Sequence, residues 1–99
     1  MSVALLLHSD CGLHDTGWGH PEHQGRLRAV VGALERDTPT LLDAVVQVEP
    51  PHASETALRR VHDAAHVSAV CAASERAAAE RTLVSLDADT IVSPASWRA

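Results

Sequence analysis

The first apolar stretch of the chain predicts a buried β-strand. Val3 to Leu7 is a continuous apolar run with polar residues on both sides, the pattern of a strand buried on both faces of a parallel sheet. From Ser9 to His20 no apolar periodicity follows, and Asp and Gly recur instead, as in a long turn-rich loop. Structured loops of this length are usually functional, so we expect the functional residues of this region after the strand.

A helix is predicted next, beginning at Pro21. Proline suits the first turn of a helix, and the Glu22 carboxylate would lie near the positive end of the helix dipole. Spacings of three, four and seven residues then give one apolar stripe, made of Leu27, Val30, Val31 and Leu34. Thr38-Pro39 should end this helix, because proline cannot continue it.

The second half of the chain repeats the alternation of strands and helices. Ala44 to Val48 is predicted as a strand closed by Pro50-Pro51. Ser54 is placed to cap a short helix that runs through Leu58 and Val61, and an alanine-rich helix is expected from about Asp63 to Glu80. The remaining predicted elements are a strand at Leu83, Val84 and Leu86, the polar segment Asp87-Ala88-Asp89-Thr90, and a further helix opened by Ser93-Pro94.

This alternation predicts an α/β fold with a mostly parallel sheet in one domain, residues 1–99. The 99 residues are 45 % hydrophobic but include two Trp and no Phe or Tyr, so the core should be small. The net charge of −5 gives no basic surface for nucleic acid. The apolar run near the amino terminus is too short for a membrane span or a signal peptide. Cys11 and Cys71 alone form no disulfide scaffold, so we expect a cytoplasmic protein.

Three histidines of the loop, His14, His20 and His23, raise the possibility of a metal site with nearby carboxylates. Their spacing fits no helical pair and no closed zinc pattern, so hydrogen bonding that orders a glycine-rich loop is the better interpretation. We therefore predict no metal ligand among them.

Other polar residues have similar pairs of interpretations. Asp87 and Asp89 follow a strand and could hold a cation, but alternate positions point to opposite faces, which favours turn and cap bonding. Cys11 could be a nucleophile beside a histidine, although nothing in the sequence marks the thiol as activated. Arg26 could bind a carboxylate such as acetate, but from spacing alone a surface pair with Glu22 is favoured.

Three segments together resemble the histone deacetylase superfamily. His8 to Leu27, with its His20-Pro21-Glu22 and Arg26, is similar to the amino-terminal motif of the bacterial and class II-like branch, which includes acetoin-utilisation proteins and acetylpolyamine amidohydrolases. Leu58 to Val67 resembles the Val-His segment of the family. Asp87 to Trp97 resembles the Asp-x-Asp-Thr-x-x-Ser segment.

The resemblance implies the amino-terminal part of a three-layer α/β/α fold of the arginase/deacetylase type, and a zinc-dependent hydrolysis of N-acetylated amines to amine and acetate. It also implies that Arg26 lines the channel through which acetate leaves, and that His14 and His20 belong to a loop that shapes the pocket wall. The zinc of the family is held by an Asp-x-His pair and a distant Asp, with a tandem His-His for proton transfer and often a Tyr. This sequence contains no Asp-x-His, no His-His and no Tyr, so no catalytic residue or metal ligand is assigned.

Two main hypotheses follow. In the first, the chain is an inert portion of a zinc deacetylase that takes an acetyl-lysine or acetylpolyamine substrate and lacks zinc by itself. In the second, it is a small non-catalytic α/β module that binds a protein partner or a second copy through an exposed sheet edge. A self-contained enzyme that uses Cys11 or the loop histidines has the least support.

Overall fold

The computed structural model describes all residues, 1–99. Short elements dominate, and only two helices exceed ten residues. In chain order the elements are β1 (Ala4–Leu6), a 3-10 helix (Ser9–Leu13), α1 (Gly25–Asp37), α2 (Pro39–Ala44), β2 (Val46–Val48), α3 (Glu55–Leu58), α4 (Ala64–Glu80), β3 (Val84–Ser85) and β4 (Ile91–Val92).

The first two strands form a parallel pair, with Ala4 opposite Val46 and Leu6 opposite Val48. Both predicted strands are therefore confirmed. The expectation that the first strand is buried on both faces is wrong, because Ala4 and Leu6 are exposed and Leu5 is only half-buried. The sheet has two strands and no layer covers both of its faces, so the apolar run stays largely in contact with solvent.

Helix α1 begins at Gly25, four residues later than the sequence predicts. The backbone N–H groups of Glu22 and Gly25 donate to the Nδ1 atoms of His20 and His23, which stabilises turns in place of a helical start. The Trp18 and His23 rings also pack over the first turn, where a Cβ on Gly25 would lie 2.7 Å from Trp18 Cζ3. The stripe of α1 is not buried.

The predicted end of α1 is confirmed. Thr38 is the C-cap, and its N–H donates to the carbonyl of Leu34 at 3.1 Å. Pro39 then occupies the first turn of α2, a helix that the sequence analysis did not predict.

The next two helices begin with side-chain caps, of which Ser54 was predicted and Asp63 was not. Ser54 Oγ accepts the N–H of Ala57 at the start of α3, and Asp63 Oδ1 accepts the N–H of His66 at the start of α4. Helix α4 ends at Glu80, and its C-cap Arg81 is left-handed at φ 52° and ψ 46°. A residue in this conformation commonly terminates a helix.

A hairpin packs against α4 and forms the core. Strands β3 and β4 are antiparallel, with Val84 opposite Val92. The strand at Val84 was predicted, whereas its antiparallel partner was not. The buried core consists of Ala73 and Ala77 of α4 with Val84 and Val92 of the hairpin, and Leu86 packs against it. The small alanines let the hairpin approach the helix closely.

The segment after β4 forms turns rather than the predicted helix. Ser74 is buried, with 2 % of its surface exposed. Its Oγ donates to the carbonyls of Ser93 and Pro94 and accepts the N–H of Trp97. These bonds hold the segment after β4 against α4. Within that segment, Ser96 Oγ accepts the N–H of Ser93. The backbone groups that a helix would need are thus partly engaged by side chains.

The α/β prediction is confirmed, with a small parallel sheet. The packing is open: the radius of gyration is 15.8 Å, against about 13 Å for a compact domain of this length. The accessible surface is 7181 Å², about a third above the roughly 5,400 Å² expected for a folded monomer of this mass. No helix has the length and apolar character needed to cross a membrane.

Candidate functional site: a histidine and aspartate cluster at the sheet edge

The parallel pair brings two histidines to the same edge of the sheet. His8 follows β1, and His52 follows β2 after Glu49-Pro50-Pro51. The carboxyl ends of parallel strands meet at one edge, which is where ligands of α/β proteins commonly bind. Asp10, in the 3-10 helix, lies between the two imidazoles.

Asp10 is the centre of this cluster. It is 7 % exposed, and its Oδ2 accepts from Arg98 Nε at 2.7 Å and from His52 Nε2 at 3.0 Å. The hydrogen bond from Arg98 is the main reason that the pKa of Asp10 is held below its ordinary value of 3.8; the charge of Arg98 and the His52 hydrogen bond also lower it, and desolvation opposes them. The carboxyl is therefore ionised at neutral pH.

His8 is oriented by the backbone and by its neighbours. Its Nδ1 accepts the Asp10 N–H at 3.0 Å and lies 4.0 Å from Asp10 Oδ2. Its Nε2 lies 3.7 Å from Glu49 Oε1, and its ring meets that of His52 edge-on, with centroids 4.9 Å apart. Since Nδ1 is the acceptor, the neutral ring carries its proton on Nε2.

The cluster opens into a cavity of about 580 Å³, within the range of small-molecule sites. Four of the seven histidines line it, His8, His52, His62 and His66, and its apolar wall includes Val67 and Trp97. Neutral imidazoles with a carboxylate can bind a transition metal. Protonated imidazoles with Arg98 would instead attract an anion.

The predicted loop histidines lie elsewhere and are held by hydrogen bonds. A ring nitrogen of His14 is 2.7 Å from Ser96 Oγ, and His20 Nε2 donates to the Asp89 carbonyl at 2.8 Å. His23 Nδ1 accepts the Gly25 N–H. The interpretation that imidazoles order the loop by bonding backbone groups is confirmed for His20 and His23, whereas His14 bonds to the Ser96 side chain.

Arg26 forms the predicted ion pair with Glu22, one turn earlier. Its side chain is half-exposed and lines a second cavity of about 270 Å³ together with His14 and His23. Its assignment to an acetate channel stays a prediction.

Two other predicted residues have structural roles. Cys11 donates its thiol to the carbonyl of Ala99 at 3.4 Å and makes no hydrogen bond to an imidazole. Asp87 Oδ1 accepts the N–H groups of Asp89 and Thr90, so the turn-bonding interpretation is confirmed.

The grouping of His8, Asp10, His52 and Arg98 was not predicted from the sequence. Asp10 and Arg98 are 88 residues apart, so no local spacing shows the group. One signal was available, because both His8 and His52 follow predicted strands that should be neighbours in a parallel sheet.

The catalytic zinc of the deacetylases does not fit these residues. The cluster is a His-x-Asp pair with a distant His, whereas the resemblance requires an Asp-x-His pair with a distant Asp. The chain also has no tandem histidine and no tyrosine to act on a substrate. The cluster is therefore not assigned to amide hydrolysis.

Comparison with known proteins identifies the family. The family model for the histone deacetylase domain matches residues 20–99, which is most of the chain. No curated protein matches the chain. The matched range contains α1, α4, the hairpin and the hydrogen-bonded partners of the loop histidines, Glu22, Gly25, Asp89 and Ser96. On this match the chain belongs to the histone deacetylase family.

Proposed function

We propose that the chain is the amino-terminal part of a zinc-dependent deacetylase that hydrolyses N-acetylated amines, such as acetyl-lysine or acetylpolyamines, to free amine and acetate. The observation that carries the proposal is the family match over residues 20–99. The sequence holds neither Asp-x-His nor His-His, so the zinc ligands and the proton-transfer histidines must come from residues outside it. The chain alone is inert, and it acts in the cytoplasm, since both cysteines are free thiols.

Arg26 is the residue of this chain that binds the acetate product on its way out. Its guanidinium already pairs with a carboxylate, that of Glu22, and it borders a cavity shared with His14. A guanidinium suits a carboxylate because its N–H groups match the two oxygens. In the unliganded chain Glu22 occupies this position, and acetate must displace it.

His14 and His20 support the pocket wall by tying the loop to distant segments. His14 bonds to Ser96 beyond β4, and His20 bonds to the carbonyl of Asp89 in the hairpin turn. Both contacts link the start of the chain to its last third, so the wall is positioned by the hairpin that packs on α4.

The central experiment compares two gene products. The 99-residue chain and an in-frame extension through the downstream coding sequence are assayed for acetate release from an acetyl-lysine peptide and from an acetylated diamine, with zinc added. We expect hydrolysis only by the extended product, whose added residues include Asp-x-His and His-His. An extension without these motifs and without activity would contradict the proposal.

The role of Arg26 is tested separately by titrating the chain with ¹³C-acetate and following the NMR shifts. Arg26→Gln should abolish the shifts, whereas Arg28→Gln, an exposed arginine two residues along α1, should leave them intact. Glu22→Gln should tighten acetate binding because it removes the internal competitor. Equal effects of the variants at 26 and 28 would mean that acetate is attracted by the overall positive charge of the helix and has no specific site at Arg26.

A second candidate function is a non-catalytic module that associates through the sheet. The surface exceeds that of a compact monomer by roughly 1,800 Å², more than the roughly 800 Å² that each partner contributes to a standard interface. Leu6, Val46 and Val48 of the two-stranded sheet are exposed, as is Val3 immediately before β1. A second copy adding its strand at the open edge would extend the sheet, and packing against its apolar face would cover these side chains.

Sedimentation velocity over a wide range of concentrations tests this association. We expect a concentration-dependent dimer that Val46→Lys converts to a monomer. Monomeric behaviour at every concentration would exclude this function and leave the deacetylase proposal untouched.

A further inference from the structure

We infer that His8, Asp10 and His52 form a binding site for one divalent transition-metal ion of the zinc class. Two imidazoles and a carboxylate are ligands that Zn²⁺ and its neighbours prefer. The three come from separate parts of the fold, namely the end of β1, the 3-10 helix and the segment after β2.

The distances between the ligand atoms are close to those of a bound ion. His52 Nε2 lies 3.0 Å from Asp10 Oδ2, and His8 Nδ1 lies 4.0 Å from it; the three ligand atoms all lie within 4.8 Å of one another. Around an ion with bonds near 2.1 Å, tetrahedral ligands are about 3.4 Å apart. Shifts of about 1 Å, within the reach of side-chain rotation, would complete the geometry.

His8 has the protonation and the partner that a metal-binding histidine needs. Its Nδ1 lone pair already faces Asp10 and accepts a backbone N–H, which the ion would replace. Its Nε2 lies 3.7 Å from Glu49 Oε1, which is an ion-pair distance and too long for a hydrogen bond. Metal-binding histidines typically donate their second ring N–H to a carboxylate, and a small rotation of the exposed Glu49 side chain would make that bond, so Glu49 is a positioning residue.

Arg98 competes with the ion for Asp10. Its Nε donates to Oδ2, the same oxygen that faces His52. The side chain of Arg98 is 66 % exposed, so it can leave without opening the core. Arg98 thus holds the carboxylate when no ion is bound, and its charge weakens binding by repulsion.

The fourth position of the ion would face the cavity of about 580 Å³. Three protein ligands with one open position are typical of zinc sites that bind an exchangeable fourth ligand. The cavity also supplies the entry path for the ion.

The experiment measures Co²⁺ and Zn²⁺ binding to the 99-residue chain, by visible absorption for Co²⁺ and by calorimetry for Zn²⁺. We expect one ion per chain, and at least a tenfold loss of affinity in Asp10→Asn and in His52→Ala. Glu49→Gln should weaken binding by about 10- to 100-fold, the usual range for such partners. Arg98→Gln should tighten it. His52 and Arg98 are exposed, so these two variants keep the test valid even if the Asp10 variant does not fold.

The matched control is His66→Ala, which removes another histidine of the same cavity. It should bind as the unchanged chain does. Equal losses in the variants at 52 and 66, or weaker binding in Arg98→Gln, would show scattered adsorption to histidines and overturn the assignment. The outcome is independent of the deacetylase proposal because the readout is ion binding and not acetate release.

Discussion

The hydroxyl of Ser74 should be one of the main determinants of stability. It sits in the middle of α4, buried, and joins the helix to the segment after β4 through the Ser93 and Pro94 carbonyls at 3.0 and 3.1 Å and the Trp97 N–H at 3.1 Å. Ser74→Ala removes all three contacts while leaving the shape of the core nearly unchanged.

The size of the effect follows from these contacts. A neutral hydrogen bond contributes about 0.5 to 1.5 kcal/mol, and a buried partner left unpaired costs about 1 to 3 kcal/mol. Alanine has a higher helix propensity than serine, which offsets the loss of stability by about 0.5 kcal/mol. We therefore expect Ser74→Ala to lower the free energy of unfolding by about 2 kcal/mol.

Urea denaturation followed by far-UV circular dichroism and tryptophan fluorescence measures this loss. The matched control is Ser68→Ala, on the exposed side of the same helix, which gains the helix propensity without losing a buried bond. The Ser74 variant should unfold at clearly lower urea than the control, with the larger change in the fluorescence signal of Trp97. Coincident midpoints for the two variants would refute the role assigned to the hydroxyl.

Three further predictions concern turns and helix ends. Arg81→Gly should raise the thermal midpoint by an amount equivalent to about 1 kcal/mol, because glycine adopts the left-handed conformation of Arg81 without strain; a fall would mean that its side chain stabilises the helix end. Asp63→Ala should cost about 1 kcal/mol in urea denaturation through loss of the N-cap of α4, whereas Asp63→Ser should recover most of it. The pKa of Asp87 is lowered from 3.8, chiefly by the hydrogen bond from the Thr90 side chain and then by that from the Asp89 backbone. The folded state therefore holds the proton less tightly than the unfolded state, so this contribution to stability is present above pH 3.8 and is lost as the pH falls through the lower folded value. Carboxyl NMR titration should show that pKa directly, and the acid dependence of the thermal midpoint should be weaker in Asp87→Asn.

Local signals predicted β1, β2, β3, α1, α3 and α4, but neither α2 nor β4. Side-chain caps depend on residues three apart, so Ser54 could be identified directly. Asp63 caps α4 in the same way, although only the approximate start of that helix was predicted. The end of α1 at Thr38-Pro39 was also predictable from the sequence, because proline cannot continue a helix. The predicted start of α1 was wrong because His20 and His23 accept the backbone N–H groups that the first turn of a helix would have left free. Imidazole acceptors are not part of the usual capping patterns.

Tertiary placement could be predicted only in part. The apolar run Val3 to Leu7 has the composition of a doubly covered strand, but burial depends on which layers surround it, and none covers both faces. The turn that joins β3 to its antiparallel partner β4 depends on Asp87, whose carboxylate accepts two backbone N–H groups. The cluster at the sheet edge required pairing β1 with β2 and placing Arg98 from the far end of the chain.

Acetate release by the 99-residue chain in the presence of one equivalent of zinc is the measurement that separates ion binding from catalysis. We expect the chain to bind the ion, His52→Ala to lose it, and neither protein to release acetate from an acetyl-lysine peptide. Acetate release that follows the zinc content and disappears with a chelator would overturn the proposal that the catalytic zinc ligands and the proton-transfer histidines lie outside this sequence.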